Sequence, residues 1–139
     1  MLKYMLDTNI CIDLIRKQPP SVIEKFSALR KGEIAISAVT WGELCCGLNT
    51  KNSQAQMDAL RSKLESIAYD NDAAYTFGML SQRFPGRRSS FDRMIAAHAL
   101  SLDVTLVTNN TADFELYKDV GLKLENWIKP LEQMPEKPG

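Results

Sequence analysis

The hydrophobic positions of this chain fall into short continuous runs separated by longer amphipathic stretches. The runs predict buried strands at residues 2–6, 34–36 and 104–107, with an edge strand at 122–127. The stretches between them have apolar residues at helical spacing and predict the following helices: 8–16, 21–30, 39–49, 52–68, 70–84, 91–102 and 112–118. Strands that alternate with helices are typical of an α/β fold with a short parallel sheet of about four or five strands, flanked by helices.

Capping and helix-breaking residues mark the ends of the first helix. We expect Thr8 or Asn9 to cap its beginning, because short polar side chains accept hydrogen bonds from the free amides of a first turn. Pro19 and Pro20 follow and would stop it.

Composition places the chain among single-domain globular proteins. Its 139 residues are 45% hydrophobic and 24% charged, values that exclude disordered, collagenous and coiled-coil classes. At this length a folded chain buries about two-thirds of its unfolded surface, so a real core is possible. We expect one domain at residues 1–128 and a mobile tail at 129–139, because three of the six prolines lie in the last ten residues.

The charge balance restricts how this chain can contact nucleic acid. Lys and Arg number 17, Asp and Glu number 17, and the net charge is zero. A protein that binds polyanions over its whole surface is usually basic, so any nucleic-acid contact must come from a local patch. No apolar run approaches the roughly 18 residues of a membrane helix, and the first run is too short for a signal peptide. We expect a cytoplasmic protein with no membrane association.

Cysteine usage argues against a zinc site. The three cysteines, Cys11, Cys45 and Cys46, form no C-x-x-C spacing, and the chain has a single histidine. We expect small buried thiols in a reducing compartment.

Acidic residues follow each of the three predicted core strands. Asp7 ends the first strand, the second leads into the helix that carries Glu43, and the third is followed by residues 108–110 and then Asp113. Ligands of open parallel sheets bind outside the carboxyl ends of the strands, so these groups meet at one edge. A further acid, Asp92, opens the helix 91–102.

Each of these acids also has a purely structural interpretation. Asp7 would be costly at the end of an apolar strand unless paired or bound to a cation, but it would also serve as a helix cap. Glu43 would serve as a solvated helical residue. Asp92 would complement the dipole of the helix that it opens. His98 does not share the helical face of Asp92, and we expect it to be a partly buried structural residue.

A cluster of Asp7, Glu43 and Asp92 would need a cation. Two carboxylates about 5 Å apart repel by roughly 3 kcal/mol at an effective dielectric constant of about 20, and a third makes this worse. Oxygen ligands alone favour a hard ion such as Mg²⁺ or Mn²⁺. The chemistry then indicated is hydrolysis of a phosphate ester by water that the ion activates.

A basic segment leads into the third acid of this cluster. Four arginines lie between residues 83 and 93: Arg83, Arg87, Arg88 and Arg93. Guanidinium groups bind phosphates well, so we expect this segment to hold RNA phosphates beside the metal. The alternative is an ordinary solvated loop.

Four motifs resemble those of the PIN-domain ribonucleases, and in particular the VapC toxins of bacterial toxin–antitoxin pairs. They are MLDTN at 5–9, ISAVTWGEL at 36–44, FDRMIAAHA at 91–99 and LVTNNTADF at 106–114. They occur in the family's order over about residues 1–128. The resemblance implies a PIN-like three-layer α/β sandwich.

The resemblance also implies a Mg²⁺- or Mn²⁺-dependent endoribonuclease. Its metal ligands would be Asp7, Glu43 and Asp92. Three acids already balance the charge of one ion, so we expect Asp113, about one helical turn beyond Asn110, to be a further catalytic acid that orients the attacking water without binding the ion. We expect four polar residues to support these acids: Thr8, Asn9, Thr108 and Asn110. Asn110 stands where many relatives have Asp, and we expect it to form a hydrogen bond with the carboxylate of Asp7 or Asp92.

The resemblance further implies a substrate and a protein partner. The favoured substrate is a structured RNA, such as initiator tRNA cut in its anticodon loop. The partner would be a VapB-type antitoxin that blocks the site, in a homodimer or a toxin–antitoxin hetero-oligomer. We expect the predicted helices 10–17 and 39–49 to offer Leu14, Trp41 and Leu48 as a groove for an antitoxin helix, unless these side chains belong to the core.

Two other functions fit part of the sequence. A haloacid-dehalogenase-like phosphatase also has an Asp after its first strand, but its second acid two residues on is absent, because Asn9 stands there. A non-catalytic PIN-like binding module would have no physical need for clustered carboxylates. Release of free phosphate would support the first, and the absence of metal binding the second.

Overall fold

The computed structural model describes residues 1–47, 51–86 and 90–128. Within them, five strands form one parallel sheet in the order β3-β2-β1-β4-β5. The strands are β1 Tyr4–Leu6, β2 Ile34–Ser37, β3 Glu65–Ile67, β4 Thr105–Val107 and β5 Leu124–Glu125. The predicted parallel α/β sheet is confirmed.

Helices cover both faces of this sheet. They are α1 Thr8–Arg16, α2 Pro20–Ala28, α3 Ala38–Gly47, α4 Lys51–Arg61, α5 Asn71–Arg83 and α6 Phe91–Leu102. Two short 3-10 helices follow β4, at Thr111–Asp113 and Glu115–Val120, where the sequence predicts one helix over 112–118. None of the described helices is long and apolar enough to cross a membrane.

The central strand separates two apolar cores. Successive side chains of a strand point to opposite faces, so Leu6 packs with the helices α1, α2, α3 and α4, whereas Met5 packs with α5 and α6. Both residues are fully buried. The chain is therefore a three-layer sandwich of helices, sheet and helices, as predicted.

The predicted helix over 52–68 is wrong in its second half. Helix α4 ends at Arg61, and β3 at Glu65–Ile67 pairs with β2 at the edge of the sheet. This edge strand reads Glu-Ser-Ile and is only partly buried, so it has no apolar run that would distinguish it from the preceding helix.

Two smaller expectations also need correction. Asp7 caps α1, in place of Thr8 or Asn9, because its side chain accepts the amide hydrogen of Ile10. Of the cysteines, only Cys11 is buried, and burial raises the pKa of its thiol. Cys45 and Cys46 are exposed in the last turn of α3. The predicted tail at 129–139 lies outside the described residues.

Candidate active site

The carboxyl ends of three neighbouring strands bring the predicted acids to one edge of the sheet. β1 ends at Leu6 and passes directly into Asp7, and β4 ends at Val107 and passes into Thr108. β2 runs parallel to β1 on its other side and leads into α3, which carries Glu43. Asp92 enters from the first turn of α6.

Asp7 is held by two hydrogen bonds in an almost dry position. It is 3% exposed. Its Oδ1 accepts the amide hydrogen of Ile10 at 3.0 Å, and its Oδ2 accepts the hydroxyl hydrogen of Thr108 at 2.6 Å. The pKa of Asp7 is raised to about 6. Burial is the main cause and the nearby charge of Asp92 adds to it, whereas these two hydrogen bonds act in the opposite direction.

Asp92 links Asp7 to the acid at the next strand exit. It is half-buried, and burial raises the pKa of its carboxyl. The charge of Asp113 raises it as well. The negative charge of Asp92 is therefore close enough to repel that of Asp7 on one side and that of Asp113 on the other.

Glu43 joins the same edge through its neighbour on α1. The hydroxyl of Thr8 donates a hydrogen bond to Oε1 of Glu43 at 2.7 Å. Thr8 directly follows Asp7 in the chain, so this contact connects α3 to the first turn of α1. Thr8 thus contacts one of the acids that it was expected to support.

The predicted ligands share an edge without forming a ready-made metal site. Across residues 1–47, 51–86 and 90–128, no three His, Cys, Asp or Glu side chains are gathered closely enough to hold an ion. The chemistry of the donor set still fits a hard divalent cation, because every donor is an oxygen. Burial is the main cause of the raised pKa of both Asp7 and Asp92, and a neighbouring acid adds to each shift, Asp92 for Asp7 and Asp113 for Asp92. A bound cation would relieve both the burial of charge and the repulsion.

A hydrogen-bond chain connects Asp113 to Asp7, and it differs from the expectation for Asn110. The side-chain amide of Asn110 donates to Oδ2 of Asp113 at 2.5 Å, so the expected bond to Asp7 or Asp92 is wrong. The backbone amide of Asn110 donates to the Thr108 hydroxyl at 3.0 Å. Asn9 is exposed, and its backbone amide helps to lower the pKa of Asp7.

The predicted RNA-binding arginines fall into three groups. Arg83 is exposed in the last turn of α5, with its guanidinium 5.7 Å from the centre of the Phe84 ring. Arg87 and Arg88 lie outside the described residues. Arg93 is 1% exposed and cannot meet RNA, which corrects the prediction for this residue.

Arg93 instead ties α6 to the elements packed on it. Its Nε donates to the Tyr117 hydroxyl at 3.0 Å, Nη1 to Oγ of Ser81 at 3.3 Å and Nη2 to the carbonyl of Phe84 at 3.0 Å. One residue corresponds to 100° around a helix, so Arg93 points into the α5–α6 interface although Asp92 beside it faces the site.

A cationic residue outside the predicted site residues lines the same cavity as Glu43. Arg16, in the last turn of α1, borders a cavity of about 210 Å³ with Thr8, Glu43 and apolar side chains of α1 and α3. An arginine in the last turn of a helix also stabilises the helix dipole, so the presence of Arg16 in the sequence does not by itself indicate a functional role. The parallel course of β1 and β2 was the available indication that their following helices are neighbours.

Part of the predicted antitoxin groove is present, because a small cavity lies between α1 and α3, where the groove was predicted. A larger apolar groove includes the predicted Leu14. It has a volume of about 860 Å³ and is formed by α1, α2 and α4, with Leu14, Ile23 and Leu60 in its lining. Trp41 on α3 is covered by the guanidinium of Arg61, whose carbon is 4.3 Å from the ring centre. Leu48 lies outside the described residues.

The chain is similar to proteins of known family. The sequence profile described as PIN domain matches residues 4–119. The chain is 40% identical over 134 residues to the tRNA(fMet)-specific endonuclease VapC of Shigella flexneri, covering 91% of this chain and 99% of that protein. It is 35% identical over 134 residues to Ribonuclease VapC2 of Rickettsia felis, covering 91% and 98%. The crystal structure of VapBC2 from Rickettsia felis bound to a DNA fragment from their promoter matches with a TM-score of 0.79 and 34% identity, over 91% of this chain and 100% of that one.

Proposed function

The chain belongs to the PIN-domain family, and on that basis we propose that it is a VapC-type endoribonuclease that depends on a divalent metal ion. The observation that carries this proposal is the buried carboxylate of Asp7, with the charge of Asp92 close enough to raise its pKa further. A helix cap requires one acceptor oxygen and no second acid. Repelling carboxylates at the end of a strand are instead the arrangement that a bound cation stabilises.

We propose Asp7, Glu43 and Asp92 as the groups that would hold Mg²⁺ or Mn²⁺. When bound, such an ion supplies positive charge at the scissile phosphate and a water activated for hydrolysis. The Thr108 hydroxyl and the Ile10 amide fix the orientation of Asp7 for this role.

Two further contacts support our proposal of supporting roles at the same edge. The Thr8 hydroxyl orients Glu43 through the hydrogen bond to Oε1. Asp113 would orient the attacking water, since it lies near Asp92 and is itself held by the amide of Asn110. In this proposal, an exposed carboxylate beside the ligands serves the water without itself binding the ion.

The substrate that we propose is a structured RNA, with initiator tRNA cut in its anticodon loop as the favoured case. The relative from Shigella flexneri is named a tRNA(fMet)-specific endonuclease. A loop also suits the physics of recognition, because side chains cannot read base edges in the deep, narrow major groove of an A-form helix, whereas loops expose them. The exposed Arg83, together with Arg87 and Arg88, would hold phosphates of this loop.

The partner that we propose is a VapB-type antitoxin that covers the site, within a homodimer or a toxin–antitoxin hetero-oligomer of the cytoplasm. Solved relatives from Rickettsia felis and Salmonella typhimurium are VapBC complexes. The apolar groove between α1, α2 and α4 would take the apolar face of an amphipathic antitoxin helix, because its lining includes Leu14, Ile23 and Leu60.

The proposal is tested by incubating the purified chain, free of antitoxin, with total bacterial tRNA and Mg²⁺, and sequencing the new 5′ ends. We expect one dominant cut in the anticodon loop of initiator tRNA, and none when EDTA is in excess. A dominant cut in another RNA would contradict the proposed substrate and support the proposed nuclease activity. Release of phosphate from small phosphoesters without RNA cleavage would favour the phosphatase, and RNA binding without cleavage the non-catalytic module.

A further inference from the structure

His98, the single histidine of the chain, joins the two helices that carry Glu43 and Asp92. It lies on α6, is 1% exposed, and its Nδ1 is 2.8 Å from Oγ of Ser37, the last residue of β2. The same Ser37 oxygen accepts the amide hydrogen of Val39 at 3.1 Å, in the first turn of α3. One hydroxyl therefore connects β2, α3 and α6.

The rest of the imidazole ring has no polar contact. Within the described part of the chain, Nε2 is buried and has no hydrogen-bond partner. The ring of Tyr69 meets the imidazole edge-on with centres 5.1 Å apart, and its hydroxyl donates to the carbonyl of Met94 at 2.9 Å. Leaving one ring nitrogen unpaired in the core is costly, and an apolar side chain would avoid that cost. The contact with Ser37 is therefore what a histidine adds at this position.

The positions of the four residues give this contact a geometric consequence. Glu43 lies six residues after Ser37, and Asp92 lies six residues before His98. Six helical residues span about 9 Å, so tilting α3 about Ser37 by roughly 10° would move Glu43 by about 1.6 Å relative to Asp92. A displacement of about 1 Å in a catalytic group can cost roughly 100-fold in rate.

We propose that Ser37 and His98 are positioning residues that set the separation of the Glu43 and Asp92 carboxylates. This inference rests on the proposed function, because it concerns the geometry of the same metal site. Neither residue touches the substrate or the ion. Their hydrogen bond fixes α3 against α6, so that the two acids can serve one cation.

The test compares variants that remove or retain this hydrogen bond. His98→Leu and Ser37→Ala remove it, whereas His98→Asn keeps a polar group near the position of Nδ1. Ser101→Ala is the matched control, since it deletes a hydroxyl that donates to the His98 carbonyl at 2.8 Å on the same helix. The readouts are kcat and KM for RNA cleavage, and the affinity for Mn²⁺ measured by calorimetry on metal-free protein. Circular dichroism melting identifies variants that do not fold.

We expect His98→Leu and Ser37→Ala to lower kcat by about 10–100-fold and to weaken Mn²⁺ binding, the size typical of groups that orient metal ligands. The KM for RNA should stay within about twofold, because the RNA contacts lie elsewhere, and His98→Asn should recover most of kcat. Ser101→Ala should match the wild type. If His98→Leu does not fold, Ser37→Ala, which deletes one oxygen atom, decides the result.

Two results would overturn the inference while the proposed function stands. One is that the wild type cleaves RNA and folded Ser37→Ala has the same kcat and the same Mn²⁺ affinity as the wild type. The other is an equal loss in folded His98→Asn and His98→Leu, which would show that packing alone matters. A wild type that neither cleaves RNA nor binds Mn²⁺ would refute the proposed function, and this inference with it.

Discussion

The hydroxyl of Thr108 donates a hydrogen bond to Oδ2 of Asp7 over 2.6 Å, although the two residues are 101 positions apart in the chain. The same oxygen of Thr108 accepts the backbone amide of Asn110 at 3.0 Å. A single side chain at the end of β4 therefore orients the buried acid at the end of β1 and shapes the loop that leads to Asp113. This contact connects the topology of the sheet to the chemistry of its edge.

Replacing Asp7 with Asn should stabilise the metal-free protein at alkaline pH. The pKa of Asp7 is raised from 3.8 to about 6, so the folded state holds its proton more tightly than the unfolded state does. The stabilisation that the protonated Asp7 carboxyl contributes to the folded protein is therefore fully present below about pH 4. It is lost as the pH rises through 6, which lowers the free energy of unfolding by roughly 3 kcal/mol. We expect the free energy of unfolding of Asp7→Asn to exceed that of the wild type by about 1–3 kcal/mol at pH 8. A weaker hydrogen bond with Thr108 offsets part of the gain.

Urea unfolding in EDTA at pH 4 and pH 8 measures this difference. Groups that do not interact with Asp7 titrate equally in both proteins, so the change in the difference between the two pH values reports Asp7 together with its coupling to Asp92. A difference in the free energy of unfolding that does not grow between pH 4 and pH 8 would contradict the raised pKa.

Asp113→Ala and Asp7→Ala should differ in severity. Asp113 is exposed and is held by Asn110, and in the proposed site it acts on water without holding the ion. We expect Asp113→Ala to lower the cleavage rate by about 10–100-fold with little change in Mn²⁺ affinity, and Asp7→Ala to abolish both. Single-turnover cleavage and calorimetry on the two variants check this. Equal loss of metal affinity in both would make Asp113 a ligand.

The arginines around the α5–α6 connection should separate into RNA-binding and structural groups. We expect simultaneous replacement of Arg83, Arg87 and Arg88 by Gln to weaken RNA binding and to lower the slope of log K against log salt by about 0.7 for each lost phosphate contact. Arg93→Gln should leave that slope unchanged and destabilise the fold by about 2 kcal/mol, because it breaks the buried hydrogen bond to the Tyr117 hydroxyl and frees the Phe84 carbonyl.

Binding to a labelled tRNA in EDTA, at several salt concentrations, and urea unfolding distinguish the two groups. The RNA site lies elsewhere if the triple variant keeps the wild-type slope.

The apolar groove should control the affinity for the antitoxin. Ala59 is exposed on α4 and lines the groove, so Ala59→Gln would fill it with little effect on the fold. We expect a loss of affinity of about tenfold or more, with RNA cleavage unchanged. Ala74→Gln, at an exposed position on α5 away from the groove, is the matched control. The measurement is calorimetric titration with the protein encoded by the small reading frame beside this gene, and equal affinity in all three toxins would exclude the groove.

Much of the candidate active site could be predicted from the sequence, because the order and direction of the strands decide which residues lie at this edge of the sheet. Asp7 ends an apolar run, and parallel strands deliver their ends to one side, so its proximity to Thr108 followed without any knowledge of side-chain rotamers. The contact between Thr8 and Glu43 also follows from neighbouring strand exits, although its atoms could not be foreseen.

Other features depended on differences too fine for sequence patterns. Arg93 follows Asp92 by one residue, and only the packing of α5 on α6 decides that one of them is buried while the other faces the site. The edge strand Glu65–Ile67 is too short and too polar to be separated from the helix before it. The predicted hydrogen-bond partner of Asn110 is wrong because Asp113, an acid only three residues further along the chain, accepts the bond in place of the distant Asp7 or Asp92.

Metal-dependent cleavage through Asp7 is tested most directly by the rate at which folded Asp7→Asn cleaves initiator tRNA in Mg²⁺, measured beside the wild type with and without EDTA. The exchange replaces one oxygen by an amide nitrogen and removes one negative charge, so it tests the ligand with little change in shape. We expect cleavage by the wild type that EDTA abolishes, and no detectable cleavage by Asp7→Asn. Cleavage by Asp7→Asn at near the wild-type rate, or by the wild type in excess EDTA, would contradict this expectation.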